Sequence, residues 1–232
     1  MAKQALVMGI DVGGQSTKLG VVDARGNILY QSVISSLQRE LSSYVDDLTT
    51  AISDLIKKAE ADGEVKGIGI GAPNGNYYKG TIEFAPNLKW AYDENDKPMV
   101  IFFAKMIKDI VGVPVAITND ANAAAVGEMT YGIAKGMKDF IMITLGTGVG
   151  SGIVINGNIV YGHDGFAGEL GHTTIIREGR QCNCGRKGCF EAYSSATALI
   201  NMTKEAMEAD KSSKMWEICS GDINNVDGKT AF

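Results

Sequence analysis

Residues 8–28 read MGIDVGGQSTKLGVVDARGNI, and residues 142–159 read MITLGTGVGSGIVINGNI. Each is an apolar strand, a glycine-rich turn, a return strand carrying Gly-[Val/Ile]-Val and, after a short gap, Gly-Asn-Ile. The shared glycines, Gly20 and Gly152, lie 132 residues apart. Self-similarity of this kind points to a duplicated unit with one hairpin in each half. The plainer alternative is two unrelated glycine-rich hairpins. Backbone N–H groups that converge at such turns form anion sites, so the pair is expected to face across a cleft and hold the phosphates of a nucleotide. Neither hairpin is a P-loop, because G-x-x-x-x-G-K-[ST] is absent. Neither has G-x-G-x-x-G opening a helix, which leaves a Rossmann dinucleotide site without support.

Outward from the hairpins, the pattern predicts an α/β chain. Strands are expected at Ala5–Asp11, Thr17–Val22 and Ile28–Ser35. A helix follows over Ser42–Ala61, where Tyr44, Leu48, Ile52, Leu55, Ile56 and Ala59 recur near the 3.6-residue period. Val65–Gly71 is a further strand, and Tyr77–Leu88 is irregular or a hairpin. Met99–Val111 is a helix ended by Gly112 and Pro114. A short strand, Val115–Thr118, runs into Asn119-Asp120 and an alanine-rich helix to Tyr131. Phe140–Leu145 and Ser151–Ile155 flank the second turn, and helices are expected at Ala196–Ala209 and Lys214–Cys219. The expected division is an N-terminal lobe over 1–118 and a C-terminal lobe over 119–232.

Apolar residues make up 45% of the 232 and charged residues 21%, which is ordinary for a globular protein with a real core. A net charge of -5 argues against a nucleic-acid surface. No apolar run approaches the ~20 residues of a membrane helix, and MAKQALVMGID is not a signal peptide. The expectation is a cytoplasmic protein with no membrane or nucleic-acid partner.

The stretch GHDGFAGELGHTTIIREGRQCNCGRKGCFE, residues 162–191, gathers both histidines and three of the four cysteines. His172, Cys182, Cys184 and Cys189 make one imidazole and three thiolates, a closed tetrahedral set for structural zinc. A lone His beside buried or disulfide-bonded cysteines is the alternative, although C-x-C leaves little room for a disulfide between its own members. Such a loop would position Glu169 and Glu191 to grip hydroxyl groups.

Phosphoryl transfer needs a phosphate cradle, a carboxylate for a metal and a base at the acceptor hydroxyl. Asp11 leaves the first strand at the lip of its turn, within reach of Mg²⁺, and Lys18 adds positive charge. Asp120, where strand meets helix, is the candidate base; the competing reading is a helix cap. Asn119 beside it suits a sugar hydroxyl.

These residues resemble the ROK family of sugar kinases and sugar-responsive repressors, within the actin-like ATPase (ribonuclease H-like) fold. Asp11-x-Gly13-Gly14 resembles its first phosphate loop and Leu145-Gly146-Thr147-Gly148-x-Gly150 its second. Asn119-Asp120-Ala121-Asn122 with Glu128 is similar to its catalytic segment. Gly168-Glu169-x-Gly171-His172 with Cys182-x-Cys184-Gly185-x-x-Gly188-Cys189-x-Glu191 resembles its sugar-and-zinc signature. The resemblance implies a duplicated fold of two lobes around a cleft. It implies that Asp120 takes the proton from a hexose 6-hydroxyl and that Asn87, Asn119, Glu169, His172 and Glu191 contact the sugar, with His172 also on zinc. Gly71-x-Pro73 would line the same cleft. Asp11, Gly13, Gly14, Lys18, Gly146, Thr147 and Gly148 would handle Mg-ATP. The activity implied is ATP-dependent phosphorylation of a hexose, glucose first, with an N-acetylated aminosugar or fructose as alternatives, in a dimer or tetramer.

Two departures stand out. Gln15 replaces a threonine usual in the first loop. The chain also stops at Phe232 where family members continue, so an incomplete second lobe, weak nucleotide affinity and exposed apolar surface are expected. A sugar-sensing repressor would need a DNA-binding helix-turn-helix before the first hairpin, where only a handful of residues stand. A zinc-stabilised sugar-binding module without turnover is the third reading, and Asp120 would be superfluous in it.

Overall fold

Residues 3–231 are described in the computed structural model. The chain divides into two units, Met1–Met142 with Gly152–Ala167, and Ile143–Ser151 with Gly168–Phe232.

The first unit is built on a five-stranded sheet. Its strands are β1 (Gln4–Val12), β2 (Ser16–Val22), β3 (Ile28–Ser35), β4 (Gly63–Ala72) and, after three short strands described below, β8 (Val115–Asn119), in the order β3-β2-β1-β4-β8. β1 pairs antiparallel with β2 and parallel with β4, and β4 pairs parallel with β8. Alternation decides which face is covered. Leu6, Met8, Ile10 and Val12 of β1 are buried, while Val7 and Gly9 between them are exposed. Over the buried face lies α1 (Leu41–Ala59), which turns Tyr44, Leu48, Ile52, Leu55 and Ala59 inward. α2 (Phe103–Val111) adds Phe103, Ala104 and Ile107. Trp90 stacks on Tyr44 with ring centroids 4.2 Å apart, and Phe103 stacks on both. The Tyr44 hydroxyl bonds Thr17 Oγ1 at 2.6 Å, and Thr17 bonds Ser36 at 2.8 Å. This satisfies polar groups that would otherwise be costly at that depth; burial pushes the Tyr44 phenol up to about 12.

Between β4 and α2 run β5 (Gly75–Asn76), β6 (Thr81–Glu83) and β7 (Val100–Ile101), a small antiparallel sheet. The sequence pattern started a helix at Met99. Val100–Ile101 instead pairs with Ile82–Glu83, and the helix begins at Phe103. The apolar run 99–104 fits either period, and strand pairing decided it.

β9 (Phe140–Leu145), β10 (Val149–Ile155) and β11 (Asn158–Ile159) form a second meander, ordered β11-β10-β9 as the first is ordered β3-β2-β1. Both halves of the sequence repeat are therefore meanders of the same order. In the second unit α4 (Glu191–Ser194) and α5 (Ala196–Ala209) follow the cysteine loop. Met207, Cys219 and Val226 form its buried apolar cluster.

The division expected at 118/119 differs from these units. β8 is hydrogen-bonded to β4 along Val115–Asn119. α3 (Asp120–Tyr131) packs on β4, with Ala123 under Gly71, where an added Cβ would sit 3.0 Å from the Ala123 Cβ. Both elements therefore belong with the first unit. Among the described residues no helix is long and apolar enough to cross a membrane.

Candidate active site

In the first unit, β8 carries the chain to the upper edge of the sheet and α3 starts there. Asn119 is the N-cap, its Oδ1 accepting from Ala121 N–H at 2.9 Å. The cap reading considered for Asp120 thus belongs mainly to its neighbour. Asp120 is the first helical residue, and its Oδ1 also accepts from Ala121 N–H at 2.8 Å. Asp120 lines a cavity of about 770 Å³ together with Asp11 and Lys18; the rest of its wall is mostly apolar and glycine residues of the sheet, among them Ile10, Leu19, Ile70 and Gly71. As a whole residue Asp120 is exposed. Yet the protein around its carboxylate displaces water, and that desolvation raises its pKa above the ordinary 3.8. The Ala121 N–H opposes the rise, and the charge of Asp11 adds to it.

The first hairpin tip is tight. Gly13 N–H donates to Ser16 O at 3.1 Å, and a Cβ on Gly13 would lie 2.9 Å from that oxygen. A Cβ on Gly14 would lie 2.9 Å from Asn87 O. The exposed Asn87 is thus held against the hairpin, and only glycine permits the approach. Gln15, the departure from the family loop, uses its backbone: its carbonyl accepts from Ser36 N–H at 2.9 Å. Glu128 does not join the cavity; its Oε2 accepts from Ile133 N–H at 2.9 Å, finishing α3.

In the second unit, His172, Cys182, Cys184 and Cys189 come together with all four ligand atoms within 4.8 Å of one another. Cys184 Sγ is 3.6 Å from Cys189 Sγ, and Cys182 Sγ is 3.7 Å from His172 Nδ1. A tetrahedron with metal–sulfur bonds of about 2.3 Å has edges near 3.8 Å, so the four side chains fit a metal of zinc's size and softness. No disulfide is formed, and all four cysteines of the chain are free thiols. Gly188, at φ +78, lets the loop close; an added Cβ there would lie 1.7 Å from Ile176 O. Burial pushes the Cys184 thiol up, but the Arg186 N–H and guanidinium with the neighbouring thiols outweigh it and bring the group to about 6. Burial, then the adjacent Glu191 carboxylate, pushes Cys182 well up. A bound metal would hold all three as thiolates.

Glu191 joins this cluster to the second hairpin. Its Oε1 accepts from Cys182 Sγ at 2.9 Å and stands 3.6 Å from His172 Nδ1. Its Oε2 accepts from Val149 N–H at 3.3 Å. A Cβ on Gly148 would sit 2.5 Å from that oxygen. Gly146 N–H donates to Gly148 O at 3.0 Å and Gly146 O accepts from Ala196 N–H at 2.9 Å, which seats the turn on the start of α5. Thr147 opens into a cavity of about 260 Å³ with Arg180, Ser195 and Asn201. Glu169 lies 4.0 Å from His172 Nε2.

Sequence reasoning missed Asn76, Tyr77 and Tyr161. Tyr77 and Tyr161 line the Asp120 cavity, and Asn76 ties their two segments together. A Tyr-Tyr pair at a turn was the available signal, but its partner lies 84 positions on.

A family model described as ROK family matches residues 7–227. A glucokinase of Streptomyces coelicolor is 35% identical over 97% of this chain and 68% of its own length. A xylose repressor of Bacillus subtilis is 34% identical over 88% of this chain and 52% of its own. The crystal structure of a ROK family glucokinase from Streptomyces griseus, in complex with glucose and AMPPNP, superposes with a TM-score of 0.77 at 34% identity, covering 97% of this chain and 69% of that one. The chain thus spans about two thirds of the glucokinase lengths it matches.

Proposed function

Because this chain belongs to the ROK family, we propose that it is a sugar kinase that transfers the γ-phosphoryl group of ATP to the 6-hydroxyl of glucose. The observation that carries the reading is that Asp120, Asp11 and Lys18 line one cavity on the five-stranded sheet, in a chain whose glucokinase relatives match it almost end to end.

Asp120 accepts the proton of the sugar hydroxyl as that oxygen attacks the γ-phosphorus, and ADP leaves. A placed carboxylate base contributes roughly 10²–10⁴ in rate; positioning and charge neutralisation supply the larger share. Asn119 holds a neighbouring hydroxyl. Asn87, Glu169, His172 and Glu191 are the other sugar contacts, assigned by family resemblance. The turns of Gly13, Gly14, Gly146, Thr147 and Gly148 face the phosphates: the Gly13 and Gly146 N–H groups close their own turns, Gly14, Thr147 and Gly148 present N–H groups to phosphate oxygens, and Lys18 adds a positive charge. A carboxylate is a hard oxygen donor, and Asp11 suits Mg²⁺ held directly or through water. Magnesium would supply charge neutralisation on the phosphates. His172, Cys182, Cys184 and Cys189 would hold zinc in a closed structural site with no position for substrate. Free thiols at all four cysteines fit a reducing cytoplasm. Assembly as a dimer or tetramer comes from the resemblance alone, and analytical ultracentrifugation would read it.

The test is product identification. With Mg-ATP and a panel of glucose, N-acetylated aminosugars and fructose, glucose is expected to give ADP and a phosphate ester whose phosphorus couples to the C6 protons in NMR. A second reading rests on the repressor match: a sugar-binding protein without turnover. Hexose binding with no ADP release from any panel member would favour it.

A further inference from the structure

Arg186 lies between the ligands Cys184 and Cys189 in sequence and has no part in the chemistry above. Its side chain is exposed, yet it does not simply point into solvent. Nη2 donates to the His172 carbonyl at 3.0 Å. The same guanidinium stands beside the Cys184 thiol, and its charge also reaches Cys189 and Cys182. One residue thus meets both parts of the ligand set: the turn that carries His172 and the loop that carries the cysteines.

The backbone beneath it is fixed. Arg186 O accepts from Cys182 N–H at 2.9 Å and from Gln181 Nε2 at 3.2 Å. Gly185 N–H donates to Cys182 O at 3.0 Å, closing the turn between them. Two other basic residues of the loop are engaged elsewhere: Arg180 bonds Glu205, and Lys187 stands 3.9 Å from Glu178. Arg186 is the cation that the Cys184 and Cys189 thiols face.

Charge explains why a cation belongs there. Three thiolates and a neutral imidazole around a divalent ion leave one negative charge in excess. Glu191 adds another, with its Oε1 2.9 Å from Cys182 Sγ. Cys182 and Cys189 are buried, and uncompensated charge is costly at buried positions. A guanidinium keeps its charge at every working pH and carries its N–H groups in a planar fork, so it can bond a carbonyl and face a sulfur at once. We propose that Arg186 is a positioning residue for the metal: it offsets the excess negative charge of the loaded site and ties the His172 turn to the cysteine loop, so that its loss weakens zinc binding. This rests on the metal reading of the four ligands and deepens it.

The experiment loads the full chain with zinc and lets a chromophoric chelator compete for it, for the wild type, Arg186→Lys and Arg186→Gln. Residues that support metal ligands from outside are worth about 10- to 100-fold in metal affinity, and a loss in that range is expected for Arg186→Gln. Arg186→Lys keeps the charge without the planar fork and should fall between. Thermal melts of the three metal-free chains should coincide, because an exposed side chain contributes little to the metal-free fold. A variant as destabilised without metal as with it overturns the proposal by making Arg186 a folding residue. Equal zinc affinity in wild type and Arg186→Gln also overturns it, and leaves the metal reading intact. A wild-type chain that takes up no zinc fails the metal reading itself, and the proposal falls with it.

Discussion

In the first unit Leu6, Met8, Ile10, Leu48, Ile52, Trp90, Phe103 and their neighbours form one continuous buried cluster between a sheet and two helices. In the second, the buried apolar cluster is Met207, Cys219 and Val226, and the segment from Gly168 to Phe190 runs through turns and isolated bridges around His172, Cys182, Cys184 and Cys189. The two units carry complementary parts of the proposed chemistry, yet they differ in what can hold their shape. One relies on apolar area removed from water. The other has a small apolar cluster and a His–Cys set; on the proposed reading it would gain its stability from a metal, which meets no preformed site in the unfolded chain.

Metal removal is the strongest way to break this contrast. Structural zinc contributes about 10–16 kcal/mol in small zinc-folded units. Chelation, or Cys189→Ser at a fully buried ligand, is expected to open residues 168–190 to protease while α1 and the β1–β4 sheet keep their amide protection. Hydrogen exchange read by mass spectrometry checks both at once, and equal protection with and without metal would remove the contrast.

Trp90→Ala should do the converse. It empties the centre of the aromatic stack and is expected to cost about 3–5 kcal/mol, seen as a lower denaturation midpoint. The cobalt-substituted cysteine site should keep its absorption spectrum, because its ligands lie in the other unit.

A smaller effect lies in pH. Desolvation, with the charge of Asp11, raises the Asp120 pKa, so the acidic limb of kcat/KM should fall above the ordinary carboxylate value of 3.8. The sign for stability is opposite. A carboxyl whose pKa is raised by folding stabilises most when protonated, and that contribution is lost as pH rises through the folded-state value. Asp120→Asn should therefore be slightly more stable than wild type near neutrality, which thermal melts across pH would show. Smallest of all, Glu205→Gln removes the partner of Arg180, a paired but solvent-screened contact, and is expected to leave the melting temperature unchanged.

Much of the fold was legible because alternation and the 3.6-residue period act over short range: β3 and β9 fall where the pattern puts them, and α1 within two residues. The repeat was legible because a glycine turn between apolar strands leaves few alternatives. That His172, Cys182, Cys184 and Cys189 cluster was legible from residue type and spacing, since thiolates and imidazole in that pattern have few other uses. The start of α2 was not, because residues 99–104 suit either period and the β6 partner decided. The boundary between units was not, because hydrogen bonds from β8 to β4 and the fit of Ala123 under Gly71 are contacts across the sequence. Asn119 outcompeted Asp120 as helix cap for a reason no motif states: its backbone is still extended, at φ -62 and ψ 147, while Asp120 has entered the helix.

The central claim is that Asp120 takes the proton from a hexose hydroxyl during phosphoryl transfer from ATP. The measurement that tests it most directly is the rate of ADP release with Mg-ATP and saturating glucose, for this chain and for Asp120→Asn, with glucose affinity measured alongside. The account predicts turnover that falls roughly 10²–10⁴-fold in the variant, with glucose binding largely kept. Turnover that survives the substitution within a few-fold would contradict it.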